Sequence, residues 1–203
     1  MLDRFETRRS FLKSVGAFVA ASSVPSTLLT TGVAASLLMP ALSIILADDA
    51  EAGTIPAPLR VKNIHTGEAR ELHLFAAGRW NRDALIVGNY LLRDWRENEV
   101  KTCNPKIFAA LYVFQRMFAP GGHINAHSGY RSPETNRKVK GASNSYHLKA
   151  QACDFSIDGI APSTISSKAY ALRTGGVGNY RWGTHIDFGP YGPNRFWDDT
   201  AQD

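Results

Sequence analysis

Four residues in the C-terminal third of the chain have types and spacings suited to metal chemistry. His147 and Asp154 stand seven apart in the stretch SNSYHLKAQACDF, and His185 and Asp187 stand two apart in THIDFG. Imidazole nitrogen and carboxylate oxygen are donors that zinc takes, and a catalytic zinc keeps three protein ligands with a fourth position open to water. His147, Asp154 and His185 make such a set. One carboxylate charge against the two on the ion leaves a net positive centre, which keeps the metal able to acidify its water. Taken without its neighbours, His-x6-Asp is a weak pattern, because a histidine is more often a surface or hydrogen-bonded core residue than a ligand. Asp187 projects to the same face as His185 if both lie on a strand. There it would serve as general base, orient a ligand, or form a structural salt bridge.

Elements must bring these residues together, and the hydrophobic pattern outlines them. PLRVKNIHTGEARELHLF alternates apolar and polar residues on both sides of His65-Thr66-Gly67-Glu68, which predicts a hairpin at one edge of the fold. NRDALIVGNYLLRDW places Leu85, Ile86, Tyr90, Leu91 and Trp95 at helical spacing behind Asn81 or Asp83 as cap. In NPKIFAALYVFQRMF, Asn104 caps, Pro105 opens the helix, and Ile107, Phe108, Leu111, Phe114 and Phe118 form a core-facing stripe. Pro120-Gly121-Gly122 breaks the chain before the strand-like HINAHSGY, and Ser132-Pro133-Glu134 starts a short basic helix or turn. LKAQACDFSI reads as a strand, PSTISSKAYALRTGG as a helix ending in glycine, and VGNYRWGTHIDFG as two strands joined through Arg181 to Gly183. His147 and His185 then fall on neighbouring strands joined by a crossover helix. The order predicts a single α+β domain with a mostly antiparallel sheet and flanking helices.

The front of the chain has a different character. TRRSFLK (7–13) precedes a run without charge from Ser14 to Ala47, the pattern of an export signal, with Ala50-Glu51-Ala52 as the candidate cleavage site. Arg8 and Arg9 followed by Phe11 and Leu12 fit a twin-arginine signal, which delivers a folded protein to the periplasm. The alternatives are a Sec signal or a retained membrane anchor, the run being long enough to span a bilayer. Residues 1–52 are therefore read as the leader and 53–203 as the domain. Without the leader, 19 basic and 13 acidic residues leave a net charge of +6. That sign suits an anionic cell wall. No RNA-binding signature or basic-aromatic interleaving points to nucleic acid. Two cysteines, Cys103 and Cys153, make no disulfide scaffold. Export permits them to pair, but Cys153, beside Asp154 on a strand, should point to the opposite face as a small buried apolar residue.

Neighbouring residues sharpen the metal reading. Ser145-x-His147-x-x-Ala150-x-Ala152-x-Asp154 resembles the S-x-H-x-x-G-x-A-x-D motif of the D-Ala-D-Ala peptidase and hedgehog-like zinc proteins, with Ala150 where the group usually has Gly. SGYRSPETNRKVKGAS upstream, GGVGNY, HIDFGP and RFW downstream, and NIHTGE with LRDW resemble the exported murein endopeptidases of the MepK (YcbK-like) branch, over most of 57–197. The resemblance implies zinc held by His147, Asp154 and His185. It also implies that Arg131 pairs with a carboxylate of a peptidoglycan stem peptide, and that the reaction is metal-assisted hydrolysis of a cross-link peptide bond. Ser145 either touches substrate or fixes its loop. Many members of the wider group carry an acidic base three residues before the last histidine, where this chain has Trp182. The base is then unassigned by motif, with Asp187 as the candidate and His127 as a further cleft residue. Tyr130, Trp182 and Trp197 would either contact substrate or pack. A D,D-carboxypeptidase and a non-catalytic wall-binding module are the competing functions.

Overall fold

The predicted hairpin forms, with strand β1 (Leu59–Asn63) antiparallel to β2 (Ala69–Leu72), Leu59 opposite Leu72 and Lys62 opposite Ala69. The computed structural model describes residues 37–51, 56–76, 79–189 and 195–201, and from Ser36 onward these belong to one compact unit. A two-stranded ribbon, β3 (Phe75–Ala76) with β4 (Arg79–Trp80), follows the hairpin; it is too short to show an alternation in sequence.

The main sheet also contains β5 (Ile124–Ser128), β6 (Ala152–Ser156), β7 (Gly176–Asn179), β8 (Thr184–Asp187) and β9 (Arg195–Asp198), in the order β2-β1-β5-β6-β8-β7-β9. Only the β1–β5 and β7–β9 pairs are parallel, so the sheet is mostly antiparallel as predicted, with the hairpin at one edge. The other edge, β9, had no forecast as a strand. Its four residues give too short a period-2 pattern to read.

Five α-helices are described: α1 (Leu38–Glu51), α2 (Arg82–Leu91), α3 (Pro105–Phe118), α4 (Pro133–Lys138) and α5 (Pro162–Ala171). Asn81 caps α2 by accepting from the backbone N–H groups of Asp83 and Ala84, which settles the choice of cap. The face of α2 differs from the predicted stripe. Ile86 and Tyr90 are exposed, while Ala84, Gly88 and Leu91 are buried. A Cβ at Gly88 would lie 2.6 Å from the Phe108 ring, so the small residues allow α2 to lie close on α3. Asn104 caps α3 as expected, and Ile107, Phe108, Leu111 and Phe114 are buried. Ala109, Ala110, Tyr112 and Val113 are buried too, so α3 is covered nearly all round. Part of that cover is α1, whose Leu38, Ala41, Leu42 and Ile45 have at most 3% exposure. α1 falls within the segment read as leader. Residues 1–36 and 52–55 lie outside the described residues, as do the arginine pair and part of the candidate cleavage site.

The segment before β6 departs from the expected strand. Tyr146–Lys149 is a 3-10 turn, ended by Ala150 in the left-handed conformation (φ 52°, ψ 38°), and the strand begins only at Ala152. Cys103 and Cys153 are both free and buried. Burial pushes the Cys103 thiol up to about 12, consistent with small apolar packing rather than reactivity. No described helix is long and apolar enough to cross a membrane.

Candidate active site

Strand register places two of the candidate donors side by side. In the antiparallel β6–β8 pair, Asp154 is directly opposite His185, so their side chains share a face. Asp187, two residues on, lies on that face as well. On the other side of β6, Ser128 is opposite Asp154 after an irregularity in β5 between Ala126 and Ser128, and such a bulge re-aims the residues that follow it. The third donor comes from the 3-10 turn. Ser145 caps this turn, its Oγ accepting from the His147 backbone N–H at 3.3 Å. His147 is thus one turn upstream of the strand where it was expected.

The three donors converge. His185 Nδ1 lies 2.6 Å from Asp154 Oδ1, His147 Nε2 lies 3.2 Å from the same oxygen, and the two ring nitrogens are 3.2 Å apart. All three ligand atoms lie within 4.8 Å of one another, and all three residues are buried. Each has a second partner that fixes it. His147 Nδ1–H donates to the Gly129 carbonyl at 2.6 Å, which leaves Nε2 facing the cluster. His185 Nε2 faces Asp187 Oδ2 at 3.4 Å. Asp154 Oδ2 is held by the Arg131 guanidinium, whose Nε also donates to Ser128 Oγ at 2.7 Å. Donors at the centre and hydrogen-bond partners behind them fit a divalent metal.

Burial works against charge here, and the neighbours decide the outcome. Burial alone would raise the Asp154 pKa, but the charges and hydrogen bonds of His147 and His185 hold it well below the usual carboxylate range. Burial keeps His147 below its ordinary 6.5, only partly offset by Asp154. His185 is lifted above 6.5, because its bonds to Asp154 and Asp187 outweigh burial. Asp187 is lowered although burial opposes this: His185 and Arg195 stabilise the carboxylate, and Arg195 lies 2.8 Å from each of its oxygens.

All six residues singled out from the sequence, Arg131, Ser145, His147, Asp154, His185 and Asp187, line one cavity of about 290 Å³. Tyr130 does not; it is buried, and its hydroxyl donates to Glu99 at 2.8 Å. His127 and Trp182 also lie outside this cavity. Two lining residues were passed over or undervalued in the sequence. Arg195 enters the sequence reading only as part of RFW, and Trp197 only as a residue that contacts substrate or packs. Trp197 places its ring 5.1 Å from that of His185 and donates to the Tyr180 hydroxyl at 3.2 Å. β7 makes room for both. A Cβ at Gly178 would lie 2.7 Å from the Trp197 ring, and one at Gly176 would lie 2.7 Å from Arg195 Nη2. The two glycines precede the residues they accommodate by many positions, so only the pairing of β7 with β9 reveals them.

Residues 51–197 match the family described as peptidoglycan L,D-endopeptidase MepK. The peptidoglycan L,D-endopeptidase MepK of Escherichia coli K12 is 33% identical over 196 residues, spanning 93% of this chain and 98% of that protein. The probable peptidoglycan L,D-endopeptidase MepK of Haemophilus influenzae is 37% identical over 143 residues, 66% of this chain and 77% of that protein. The matched segment contains the main sheet up to Trp197 of β9, the three converging donors and the residues behind them, and on that agreement the chain belongs to the MepK family of peptidoglycan L,D-endopeptidases.

Proposed function

We propose that this protein is a zinc-dependent murein endopeptidase that hydrolyses L,D-peptide bonds in peptidoglycan cross-links. The observation that carries the reading is the meeting of His147, Asp154 and His185 in one cavity of a chain of this family. These three would hold the metal. Zinc, when bound, supplies Lewis acidity near neutral pH, enough to activate a water and polarise the scissile carbonyl. The protein's part is to aim and tune the donors. Gly129 fixes the tautomer of His147, Asp187 holds the far nitrogen of His185, and Arg131 holds Asp154 Oδ2 while Oδ1 faces the histidines. We assign Ser145 to the turn it caps. Arg131 makes two internal bonds, through Nε to Ser128 and Nη2 to Asp154, which leaves further N–H donors on a guanidinium that lines the cavity. Its position behind Asp154 is the role its bonds support.

The same reading places the enzyme in the periplasm, with residues 1–52 as a twin-arginine leader. Intact sacculi digested with the zinc-loaded protein test the function. Cross-linked muropeptide dimers should fall to monomers, and His147→Ala, Asp154→Ala and His185→Ala should each abolish both zinc retention and release. Loss of terminal alanine alone would make the protein a carboxypeptidase. Binding without any product would make it a wall-binding module.

A further inference from the structure

A second cavity, of about 230 Å³, adjoins the first and shares Arg131 and Asp154 with it. Beside Ser128 and Val139, its wall comes from distant parts of the chain: His65 in the β1–β2 turn, Arg96 beyond α2, His127 on β5 and Trp182 in the β7–β8 turn. Asp154, one of the three donors, therefore borders both cavities, while His147 and His185 line the first. Removal of a terminal residue needs peptide on one side of the scissile bond and room for a single residue on the other. Cutting a cross-link needs room for a peptide on both sides. From this arrangement, and resting on the endopeptidase reading above, we infer that the second cavity is the subsite for the stem peptide on the far side of the scissile bond, and that Arg96 binds its free carboxylate.

Charge singles out Arg96. Three arginines border the two cavities. Arg131 is paired with Asp154 and Arg195 with Asp187. Arg96 has no carboxylate partner among the described residues. Its guanidinium lies 4.3 Å from the Trp95 ring, and Trp95 is stacked on His65 at 4.5 Å and 20°. Stacking pre-orients the planar fork, and the geometry of that fork matches a carboxylate. His65 and His127 are held below their ordinary pKa, chiefly by burial, so at neutral pH they contribute hydrogen bonding rather than charge. Trp182 supplies the apolar part of the wall. It is 49% exposed, yet it is propped from behind by Tyr180, stacked at 5.1 Å and 4°, and by His127 at 4.9 Å. A large exposed indole fixed in this way is a platform for the aliphatic and amide surface of a peptide. The position that carries an acidic base in the wider group thus carries a binding surface in this chain.

The test uses two synthetic cross-linked peptides that differ only in the group flanking the scissile bond, a free carboxylate in one and a carboxamide in the other. The zinc-loaded wild type should prefer the acid by about 10- to 100-fold in kcat/KM, the size of a charge-assisted hydrogen bond. Arg96→Gln should erase that preference, mainly through KM for the acid, and Arg96→Lys should restore part of it, which a folding defect would not. Trp182→Ala should raise KM for both peptides alike. A preference that survives in Arg96→Gln, or an equal loss on both peptides, overturns the assignment. If the wild type cleaves neither peptide, the endopeptidase reading fails by itself. The subsite is then judged by calorimetric titration of both peptides, where equal affinity for acid and amide overturns it.

Discussion

Both ring nitrogens of His185 are engaged, Nδ1 with Asp154 and Nε2 with Asp187, and this leads to two measurable consequences. Asp187 lies behind the histidine and has its own charge met by Arg195, an arrangement that suits orienting a ligand better than accepting a proton. Asp187→Asn should therefore weaken zinc binding by about 10- to 100-fold, and excess zinc should restore most of the rate. A 10²- to 10⁴-fold loss of turnover that persists at saturating zinc would instead make Asp187 the general base. The second consequence concerns pH. In the metal-free fold, the raised pKa of His185 contributes stability that is fully present below its ordinary 6.5 and is lost as pH rises through the raised value. Zinc competes for the same nitrogen, so its affinity runs the other way. Asp154 is already ionised and His147 already neutral near pH 6.5, so one proton should leave per zinc bound. Below the His185 value, affinity should then fall about tenfold per pH unit. Chelator competition at several pH values gives the slope, and a slope of two would mean that both histidines are protonated. The residue types were legible as possible ligands from their donor chemistry, but His-x6-Asp is a weak pattern by itself, and it was the flanking Ser145, Ala150 and Ala152 that singled the donors out. The partners behind the donors were not legible, since Gly129, Ser128 and Arg195 reach the site only through strand pairing and a bulge.

At the scale of elements, the 3-10 turn differs from the strands that carry the other donors. Asp154 and His185 are set by ladder hydrogen bonds on neighbouring strands, whereas His147 depends on the Ser145 cap and on the left-handed residue Ala150. Ala150 is fully buried, and its carbonyl accepts from the Asn104 N–H at 2.9 Å, tying the turn to the start of α3. A side chain in this conformation costs about 1–2 kcal/mol, and a β-branched one is an outlier. Ala150→Val should thus destabilise the protein by about 2–4 kcal/mol and lower zinc affinity through His147. Ala150→Gly, which relieves strain but loses a buried methyl and chain stiffness, should stay within about 1 kcal/mol of wild type. Denaturant midpoints with and without zinc check both. Capping signals and period-2 alternation gave α3, the hairpin and β8, because each is a local pattern with a side chain or a face to mark it. The burial of α2 was misread because Gly88 and Ala84 carry almost no hydrophobic signal. What buries them is the absence of bulk against Phe108, which only the tertiary contact shows.

Across the whole molecule, the cover that α1 gives α3 makes the boundary between leader and domain a question of stability. Two leucines and an isoleucine of α1 are almost fully buried, and each is worth about 1.5–3 kcal/mol as an upper estimate. A chain beginning at residue 53 should therefore melt at least about 5 °C below one beginning at residue 37, and should bind a hydrophobic dye more strongly. Equal melting temperatures would show that α3 needs no such cover. The direct pairing of Asp154 with His185 carries a further consequence, for the folding of the sheet. The two are 31 residues apart in the chain and meet only when β8 is paired with β6. Side chains alternate between faces along a strand, so a slip of one residue in β8 would send His185 to the opposite face and leave only two of the three donors together. If this site holds zinc as proposed, tight capture during refolding should accordingly coincide with the pairing of β8 with β6 in register. A bound ion would then act as a proofreading signal for strand alignment, reporting that the centre of the sheet has closed in the right frame.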